Sequence, residues 1–176
     1  MFQKIERYEE TGLGLPYPII LVGAAEEEID ETTGERIGVS VPNMEGLVAA
    51  IAITRALLPQ RLDGAEVRFI RRALNMTAKD LAESLEMAAA TLSRWENNKE
   101  GPGAWADKQV RMAAIIKLRS QVPHWNGDDR AIVHMKLHPQ QDGAWPHIEM
   151  GIVDLSATGS AGENPWAGDV QFAHAA

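Results

Sequence analysis

The chain has 176 residues, of which 45% are apolar and 24% charged, and its formal net charge is −8. This composition is typical of a folded globular protein and excludes wholesale disorder, collagen-like repeats and a fibrous coil. Cysteine is absent, which excludes disulfides, thiolate zinc sites and cysteine nucleophiles. No apolar run is long enough to cross a membrane, and the N-terminus MFQKIERYEE is too charged for a secretory signal, so we expect a cytoplasmic protein.

Charge is distributed unevenly and divides the chain into three predicted domains. Residues 1–60 carry 4 basic and 10 acidic side chains (−6), residues 61–119 carry 11 basic and 8 acidic (+3), and residues 120–176 carry 2 basic and 7 acidic (−5). Binding to nucleic-acid phosphates depends on local rather than total charge. The basic middle segment is therefore compatible with binding to a nucleic acid, although the whole chain is acidic.

The first domain is predicted to be a small α+β unit. A β-hairpin is expected over residues 16–42, where PYPIILVG is a β-branched run and ERIGVSV alternates apolar and polar residues. The acidic stretch EEEIDETTG between them is predicted to be a solvated turn. A helix over about residues 44–58 follows, with Asn43 as its N-cap and Pro59 after its end.

Three short helices are predicted between residues 62 and 98. Asp63 and Thr77 are expected N-caps, and Glu66 and Asp80 complete a capping box three residues later in each case. The third helix starts after Met87. Helices this short are unstable alone in water and must pack on one another, and short helices joined by a three-residue turn describe a helix-turn-helix.

The last part of the chain is predicted to contain a fourth helix, over about residues 106–118, and a β-hairpin. The hairpin strands are AIVHMKLH and WPHIEMGIVDL, joined by the turn PQQDGA. Residues 156–176 are expected to form a flexible tail. The predicted fold class is therefore α+β: an N-terminal β-hairpin and helix, a central all-α helix-turn-helix domain, and a C-terminal β-hairpin with its tail.

The segment LDGAEVRFIRRALNMTAKDLAESLEMAAATLSRWENNKEG resembles the helix-turn-helix of the XRE (phage lambda repressor-like) regulators. The strongest likeness is TLSRWENN, residues 91–98, which is similar to the family's T-[IV]-S-R-[WY]-E-N-G. Two further stretches, AEVRFIRR and YEETGLGLPYPIIL, are similar to segments of one branch, the MqsA (YgiT-like) antitoxins. The resemblance covers about residues 8–118.

Three departures from the family pattern are visible. The cysteine-ligated zinc of some members of that branch is absent, because the chain has no cysteine. Glu86 stands where the family has a turn glycine, which costs roughly 1–2 kcal/mol if the left-handed geometry is kept. Ala88 stands at the N-cap of the third helix, which forgoes about 0.5–2 kcal/mol of capping.

The resemblance places Arg94 at the position that enters the major groove, where arginine forms a bidentate contact with guanine O6 and N7. The alternative is a surface arginine paired with Glu96 or another carboxylate. Ala89 and Ala90 stand where relatives have polar side chains that contact bases. They either contact thymine methyl groups or make no base contact. Sequence specificity then depends on Arg94 and on the shape of the DNA. The expected phosphate contacts are Thr77, Lys79, Thr91, Ser93, Asn98 and Lys99. For the two lysines, ordinary solvation is the alternative.

Other conspicuous residues are assigned structural roles. Trp95 is predicted to lie in the core, because of its spacing from Leu92. The arginines of the first of the three helices, Arg68, Arg71 and Arg72, are predicted to form local salt bridges, with Glu66 in reach.

No metal site, cofactor or catalytic motif is predicted. His134, His138 and His147 are three imidazoles, but four residues along a strand separate the first two by about 13 Å, too far for one zinc ion. The acidic run in residues 26–31 lacks the alternation of an EF-hand. Nucleophile, Walker and dinucleotide motifs are absent from the sequence, so an enzyme is not expected.

These observations predict a sequence-specific DNA-binding transcriptional regulator, a repressor or autoregulator. We expect a homodimer on a two-fold operator, with residues 88–97 in the major groove. The resemblance also implies a toxin partner, which the acidic N-terminal unit would engage. The competing prediction is a protein-interaction module whose helix-turn-helix no longer reads DNA; Ala88–Ala90 and the net charge support it.

Overall fold

The protein combines one mixed β-sheet with a series of helices, described by a computed structural model for residues 1–125, 127–140, 145–153 and 163–169. Within these ranges there are five strands and six α-helices, and the predicted α+β class is confirmed. The strands are β1 Phe2–Glu10, β2 Ile19–Ile29, β3 Arg36–Ser40, β4 Glu149–Ile152 and β5 Trp166–Asp169. The helices are α1 Met44–Ala56, α2 Gly64–Ala73, α3 Ala78–Ser84, α4 Ala89–Glu96, α5 Ala104–Leu118 and α6 Ala131–His134.

Strand β2 is the centre of the sheet. It pairs antiparallel with β1 along one edge; along the other it pairs antiparallel with β3 and, through Ile20 and Leu21, in parallel with β4. Strand β5 pairs antiparallel with β4. The first residues of β2, Ile19 to Leu21, are buried, and a continuous apolar run is typical of an interior strand.

The acidic stretch that was predicted to be a turn, residues 26–34, begins with four residues of strand. Residues 26–29 belong to β2 and pair with β3, so the hairpin prediction is confirmed but its turn is shorter. The turn begins at Asp30, whose carboxylate accepts hydrogen bonds from the backbone N–H groups of Thr32 and Thr33 at 2.7 and 3.1 Å. A strand with exposed glutamates has the same kind of sequence as a solvated loop, because its pairing uses backbone groups and leaves no pattern in the side chains.

The charged N-terminal segment forms β1, which the sequence patterns did not predict. Most of its side chains are exposed, so it lacks the alternation that marks a half-buried strand. Lys4 lies directly opposite Glu26 on β2, and opposite charges in such cross-strand pairs are favourable. An edge strand of this kind depends on its neighbour rather than on its own apolar pattern.

Helix α1 confirms the predicted helix and its cap. The Asn43 side chain accepts a hydrogen bond from the Gly46 N–H at 3.0 Å, and the helix ends before Pro59. Residues from Leu47 to Ala56 are buried with one exception, because α1 packs against both α5 and β5. It therefore lies between the sheet and the helical region.

The predicted C-terminal hairpin is wrong in its first strand. Residues 131–134 form α6, and the chain then reaches His138, which forms an isolated bridge with Gln60. Residues 149–152 of the predicted second strand do form β4, but its partners are β2 and β5. The spacing of AIVHMKLH fits a short helix as well as a strand, and a parallel pairing with a strand so far away in sequence has no local signal.

The segment predicted to be a flexible tail, residues 156–176, contains β5. Trp166 is buried, and its indole N–H donates to the carbonyls of Pro42 and Asn43, both at 3.1 Å. The rest of that prediction, and residues 141–144 of the predicted turn, lie outside the described residues.

Candidate nucleic-acid interface

Helices α2, α3 and α4 end in the same backbone motif. The residues just past them, Asn75, Glu86 and Asn98, have φ angles of 53°, 51° and 54°. The next N–H group bonds the carbonyl five residues back, as Met87 does with Ala82 at 2.9 Å; this is the Schellman ending. Glu86 thus has the left-handed geometry of the turn, at a cost of roughly 1–2 kcal/mol that the two asparagines largely avoid.

The starts of these helices are capped unequally. Asp63 with Glu66, and Thr77 with Asp80, form both reciprocal hydrogen bonds of a capping box, as predicted. Helix α4 has Ala88 at its N-cap and no side-chain cap hydrogen bond. The helix that matters most for the predicted function therefore starts without the cap that its neighbours have.

The inner side of α4 packs tightly on α2. Leu92 and Trp95 are buried, which confirms that Trp95 is a core residue. Gly64, the first residue of α2, approaches so closely that a Cβ atom there would lie 2.0 Å from the Trp95 carbonyl oxygen. The Gly64 N–H also donates to Asn98 Oδ1 at 2.8 Å, so backbone contacts join the two helices.

Glu96 adds an ionic connection between α4 and α2. Arg71 donates to its carboxylate oxygens at 2.6 and 3.0 Å, and Arg68 donates to its backbone carbonyl at 2.5 Å. This bidentate bond raises the pKa of the Arg71 guanidinium above its ordinary value. The arginines of α2 were predicted to form local salt bridges, with Glu66 in reach. Arg68 and Arg71 instead pair across to α4, because the Glu66 carboxylate faces Arg55 in the core.

The other side of α4, which we call the α4 outer face, is exposed to solvent. Helical geometry, at about 100° per residue, places its members on one arc opposite Leu92 and Trp95. These exposed members are Ala89, Ala90, Ser93, Arg94 and Asn97. Thr91 lies at the border and is half-buried. The side chains predicted to face DNA from α4 thus point away from the core.

Arg94 lies on this face but is paired within the protein. Its Nε donates to Glu100 Oε1 at 2.9 Å and its Nη2 to Thr91 Oγ1 at 3.1 Å. This is the arrangement predicted as the alternative to a base contact, with Glu100 as the carboxylate. The side chains of Arg94 and Glu100 are 47% and 43% exposed, and ion pairs this exposed contribute only about 0–1 kcal/mol.

The remaining candidates lie at the start of α3 and after α4. The Thr77 hydroxyl donates to Asp80 at 2.6 Å, and this bond holds the pKa of the Asp80 carboxyl below its ordinary value. Lys79 is 3.7 Å from Glu83 in an exposed pair. Lys99 is exposed and has no ion-pair partner among the described residues.

Comparison with known proteins identifies this region. A family model described as Helix-turn-helix matches residues 67–104. This segment is similar to the helix-turn-helix of XRE-type regulators. The match runs from α2 to the first residue of α5 and contains every candidate DNA-contacting residue.

The helix-turn-helix supports a role in DNA binding and regulation. Helix α3, the turn through Glu86 and helix α4 are its core motif, with α4 in the recognition position. Neither a curated protein nor a solved structure matches the chain significantly. The MqsA (YgiT-like) resemblance stays a prediction.

A buried group of charges behind the helix-turn-helix was not predicted. Arg55 donates to both oxygens of Glu66, at 2.5 and 2.8 Å, and the Tyr17 hydroxyl donates to the same carboxylate at 2.7 Å. On α5, Arg111 pairs with Asp107. All four charged side chains are inaccessible to solvent.

The two buried arginines bind the segment that links α1 to α2. Arg55 donates to the carbonyls of Gln60 and Arg61 at 3.0 and 3.1 Å, and Arg111 donates to those of Ala56 at 2.9 Å and Gln60 at 2.5 Å. They thereby connect the N-terminal unit with the helix-turn-helix. A sequence signal did exist: Arg55 stands in the otherwise apolar stretch IAITRALLP.

Neither a metal centre nor a membrane span is found in the described ranges. No group of three or more His, Asp or Glu side chains there is arranged to hold a metal ion. His147 lies 2.8 Å from Glu149, and this contact lowers the pKa of the Glu149 carboxyl. No helix in the same ranges is both long and apolar enough to cross a bilayer.

Proposed function

We propose that this chain is a sequence-specific DNA-binding transcriptional regulator that represses transcription, including that of its own gene, by occupying an operator. The α4 outer face is the observation that carries this proposal. Its side chains are exposed, whereas the opposite side of α4 is held by Trp95, Gly64 and Glu96. A recognition helix needs this combination, because insertion into the major groove requires a rigid support and outward-facing side chains.

Arg94 is the proposed base-reading residue. Its guanidinium exchanges the exposed Glu100 carboxylate for O6 and N7 of a guanine, the commonest specific contact of arginine with DNA. Ala89 and Ala90 contact thymine methyl groups or read nothing. Specificity then depends on Arg94 and on the shape of the DNA.

The proposed phosphate contacts surround Arg94. They come from hydroxyl, amide and ammonium groups, which position a protein on the duplex without reading its sequence. Asn98 uses its side-chain carbonyl oxygen for Gly64, so its amide group is the part that would meet a phosphate. The full set is Thr77, Lys79, Thr91, Ser93, Asn98 and Lys99.

A homodimer and a toxin partner are further parts of the proposal. One recognition helix covers only half of a two-fold operator, so we propose that two copies bind together. The resemblance of residues 8–21 to the MqsA branch supports a toxin partner for the N-terminal unit. The exposed glutamates Glu26 and Glu28 on β2 favour a basic surface on that partner.

The test is binding of the full chain to a labelled fragment of its own promoter and to a scrambled fragment of equal length, over about 50–300 mM salt. We expect a preference for the promoter, and log affinity that falls linearly with log salt with a slope of about −0.9 per neutralised phosphate. Arg36→Ala, in an arginine of β3 that is 58% exposed, is the matched control for Arg94→Ala. Absence of binding at low salt contradicts the proposal.

One observation favours a second function, a protein-interaction module that no longer reads DNA. Helix α4 starts at an uncapped Ala88 and presents two alanines where base readers are expected. Most cations around it are also paired with carboxylates, as Arg94 is with Glu100. This function predicts no binding to the promoter at any salt concentration and no effect of Arg94→Ala.

A further inference from the structure

Three apolar side chains and one half-buried glutamine form a row on the outer side of α5. Trp105, Gln109, Met112 and Ile116 follow one another at intervals of four, three and four residues, the heptad spacing by which two helices pack. Trp105 is 68% exposed and Ile116 is 74% exposed, whereas Val110 on the other side of α5 is fully buried. We call this row the α5 seam.

A cavity lies at each end of the α5 seam, and the two differ in the chemistry of their linings. At one end Trp105 lines a cavity of about 420 Å³ together with Gln109 and with Ser84, Leu85 and Glu86 beside the α3–α4 turn. At the other end lies a cavity of about 340 Å³, a volume in the range of small-molecule pockets. Its lining is mostly apolar, from Met112, Ile115, Ile116, Ile132 and Val133, and also includes Arg130 and the ion pair of Arg119 with Asp129.

We propose that the α5 seam binds the α5 seam of a second copy in antiparallel orientation, with Trp105 of each copy inserted into the apolar cavity of the other. The inference rests on the proposed function, since it supplies the homodimer with an interface. A four-three-four spacing reads the same in both directions, so antiparallel copies match along the whole row. Trp105 then faces Ile116 of the other copy, and Gln109 faces Met112.

The charged residues at the two ends of the α5 seam support a second copy of the chain as its binding partner. They also support an antiparallel orientation of the two α5 helices. Glu86 lies at the Trp105 end and Arg130 at the Ile116 end, and both are exposed. Neither has an ion-pair partner among the described residues. The antiparallel arrangement brings Glu86 of each copy to Arg130 of the other, whereas a parallel one places like charges together. Such complementarity of one face with itself is what a two-fold interface requires.

The position of the seam also suits the proposed function. Its Trp105 end adjoins Glu86 in the α3–α4 turn, so a two-fold axis through the seam passes beside the helix-turn-helix. The two recognition helices are then related by the same axis as the two half-sites of an operator.

The primary test is sedimentation equilibrium of the full chain without DNA. We expect a dimer at micromolar concentration, and monomers for Trp105→Glu and Ile116→Glu with unchanged circular dichroism. Ile37→Glu, at an apolar side chain of β3 that is 63% exposed, is the control and should remain a dimer. A monomeric parent, or Ile116→Glu protein that remains fully dimeric, overturns the inference.

Charge exchange tests the pairing of the two ends. Glu86→Arg and Arg130→Glu alone should each raise the dimer dissociation constant several-fold, and the double variant should restore it. Equal effects of the single variants without recovery in the double variant would overturn this pairing.

Because the chain has no cysteine, orientation is also measurable by disulfide formation. In an oxidised mixture of Trp105→Cys and Ile116→Cys proteins, we expect cross-linked dimers that contain one copy of each. Two copies of position 105 are about 16 Å apart in the antiparallel pair, so each variant alone should cross-link poorly. Efficient cross-linking of each variant with itself overturns the antiparallel arrangement.

Promoter binding, measured separately, distinguishes this inference from the proposed function. A dimer that forms through the seam but binds no DNA contradicts the proposed function and leaves the interface standing. Promoter binding by a protein whose dimer survives Ile116→Glu contradicts the interface and leaves the proposed function standing.

Discussion

Arg55 and Glu66 meet in two hydrogen bonds, of 2.5 and 2.8 Å, and neither side chain is exposed to solvent. Arg55 is near the end of α1 and Glu66 is in the first turn of α2. Arg55 also donates to the carbonyls of Leu58, Gln60 and Arg61, and the carboxylate also accepts from Tyr17. The pair therefore sets where the helix-turn-helix begins relative to the N-terminal unit.

Glu66→Gln should be strongly destabilising. It leaves the Arg55 charge buried without a counterion, and breaking a buried pair in this way costs about 3–5 kcal/mol of unfolding free energy. Chemical denaturation measures the change. Glu83→Gln is the control: its carboxylate is 66% exposed and pairs with Lys79 at 3.7 Å, so a change within about 0.5 kcal/mol is expected. Equal stabilities of the two variants would show that the buried pair is unimportant.

Stability should fall at alkaline pH because of Tyr17. Burial, and then the neighbouring Glu66 carboxylate, raise the pKa of its phenol well above the ordinary value. The folded state therefore keeps the proton while the unfolded state releases it above about pH 10. Unfolding free energy should drop by up to about 1.4 kcal/mol per pH unit above that point. Tyr17→Phe should remove this part of the slope; an identical pH dependence of both proteins would refute the assignment.

The local elements were predictable from the sequence because their determinants are local. Asp63 and Thr77 cap their helices through groups three residues away, so a short stretch of sequence contains the whole interaction. The same holds for Trp95, whose burial follows from its helical spacing. The exposed positions of α4 follow from that spacing too.

Other features depend on contacts that a local pattern does not contain. Strand β4 pairs with Ile20 and Leu21, well over a hundred residues earlier. Glu66 was expected to pair within its own helix but finds Arg55 across the interface between α1 and α2. The pairing of Arg94 with Glu100 depends on how the chain turns after α4. The positions of the candidate site residues in and beside α3 and α4 were therefore predictable from the sequence, but not all of their partners were.

Gly64→Ala should destabilise the helix-turn-helix. A Cβ atom at this position would overlap the Trp95 carbonyl oxygen and also crowd Asn98, and backbone atoms cannot move aside cheaply. Overpacking of this kind costs about 1–3 kcal/mol. Gly101→Ala is the matched control because nothing lies within 4 Å of its Cβ position. Thermal melting compares the two, and a Gly64→Ala protein that melts with the parent would contradict the close approach.

Ala88→Ser should stabilise α4. Ala88 has the extended backbone geometry of an N-cap, φ −69° and ψ 136°, and makes no side-chain cap hydrogen bond. A serine hydroxyl there can accept from the N–H of Ala90 or Thr91 and add about 1 kcal/mol. The gain should appear as a higher midpoint in urea. Ser93→Ala, on the exposed face of the same helix, is the control for a change in hydroxyl content; no gain for Ala88→Ser would mean that α4 needs no cap here.

The exposed ion pair between Arg94 and Glu100 should oppose DNA binding, because the Arg94 guanidinium cannot bond Glu100 and a guanine in the same way at the same time. Arg94→Ala should weaken promoter binding by about 1–3 kcal/mol, the value of a bidentate guanine contact. Glu100→Gln should strengthen it by up to about 1 kcal/mol, because the pair that must be broken disappears. Glu45→Gln, the same charge change at an exposed glutamate of α1 that has no ion-pair partner among the described residues, measures the general electrostatic effect, which is subtracted.

The double variant separates competition from general charge. If Glu100 acts through Arg94, the gain from Glu100→Gln beyond the Glu45→Gln control should vanish in the Arg94→Ala background, a coupling that a double-mutant cycle at constant salt measures directly. If that gain persists without Arg94, Glu100 only repels phosphate. If Arg94→Ala leaves promoter affinity unchanged in a folded protein, Arg94 makes no base contact and the alternative assignment, a surface arginine paired with a carboxylate, is the correct one.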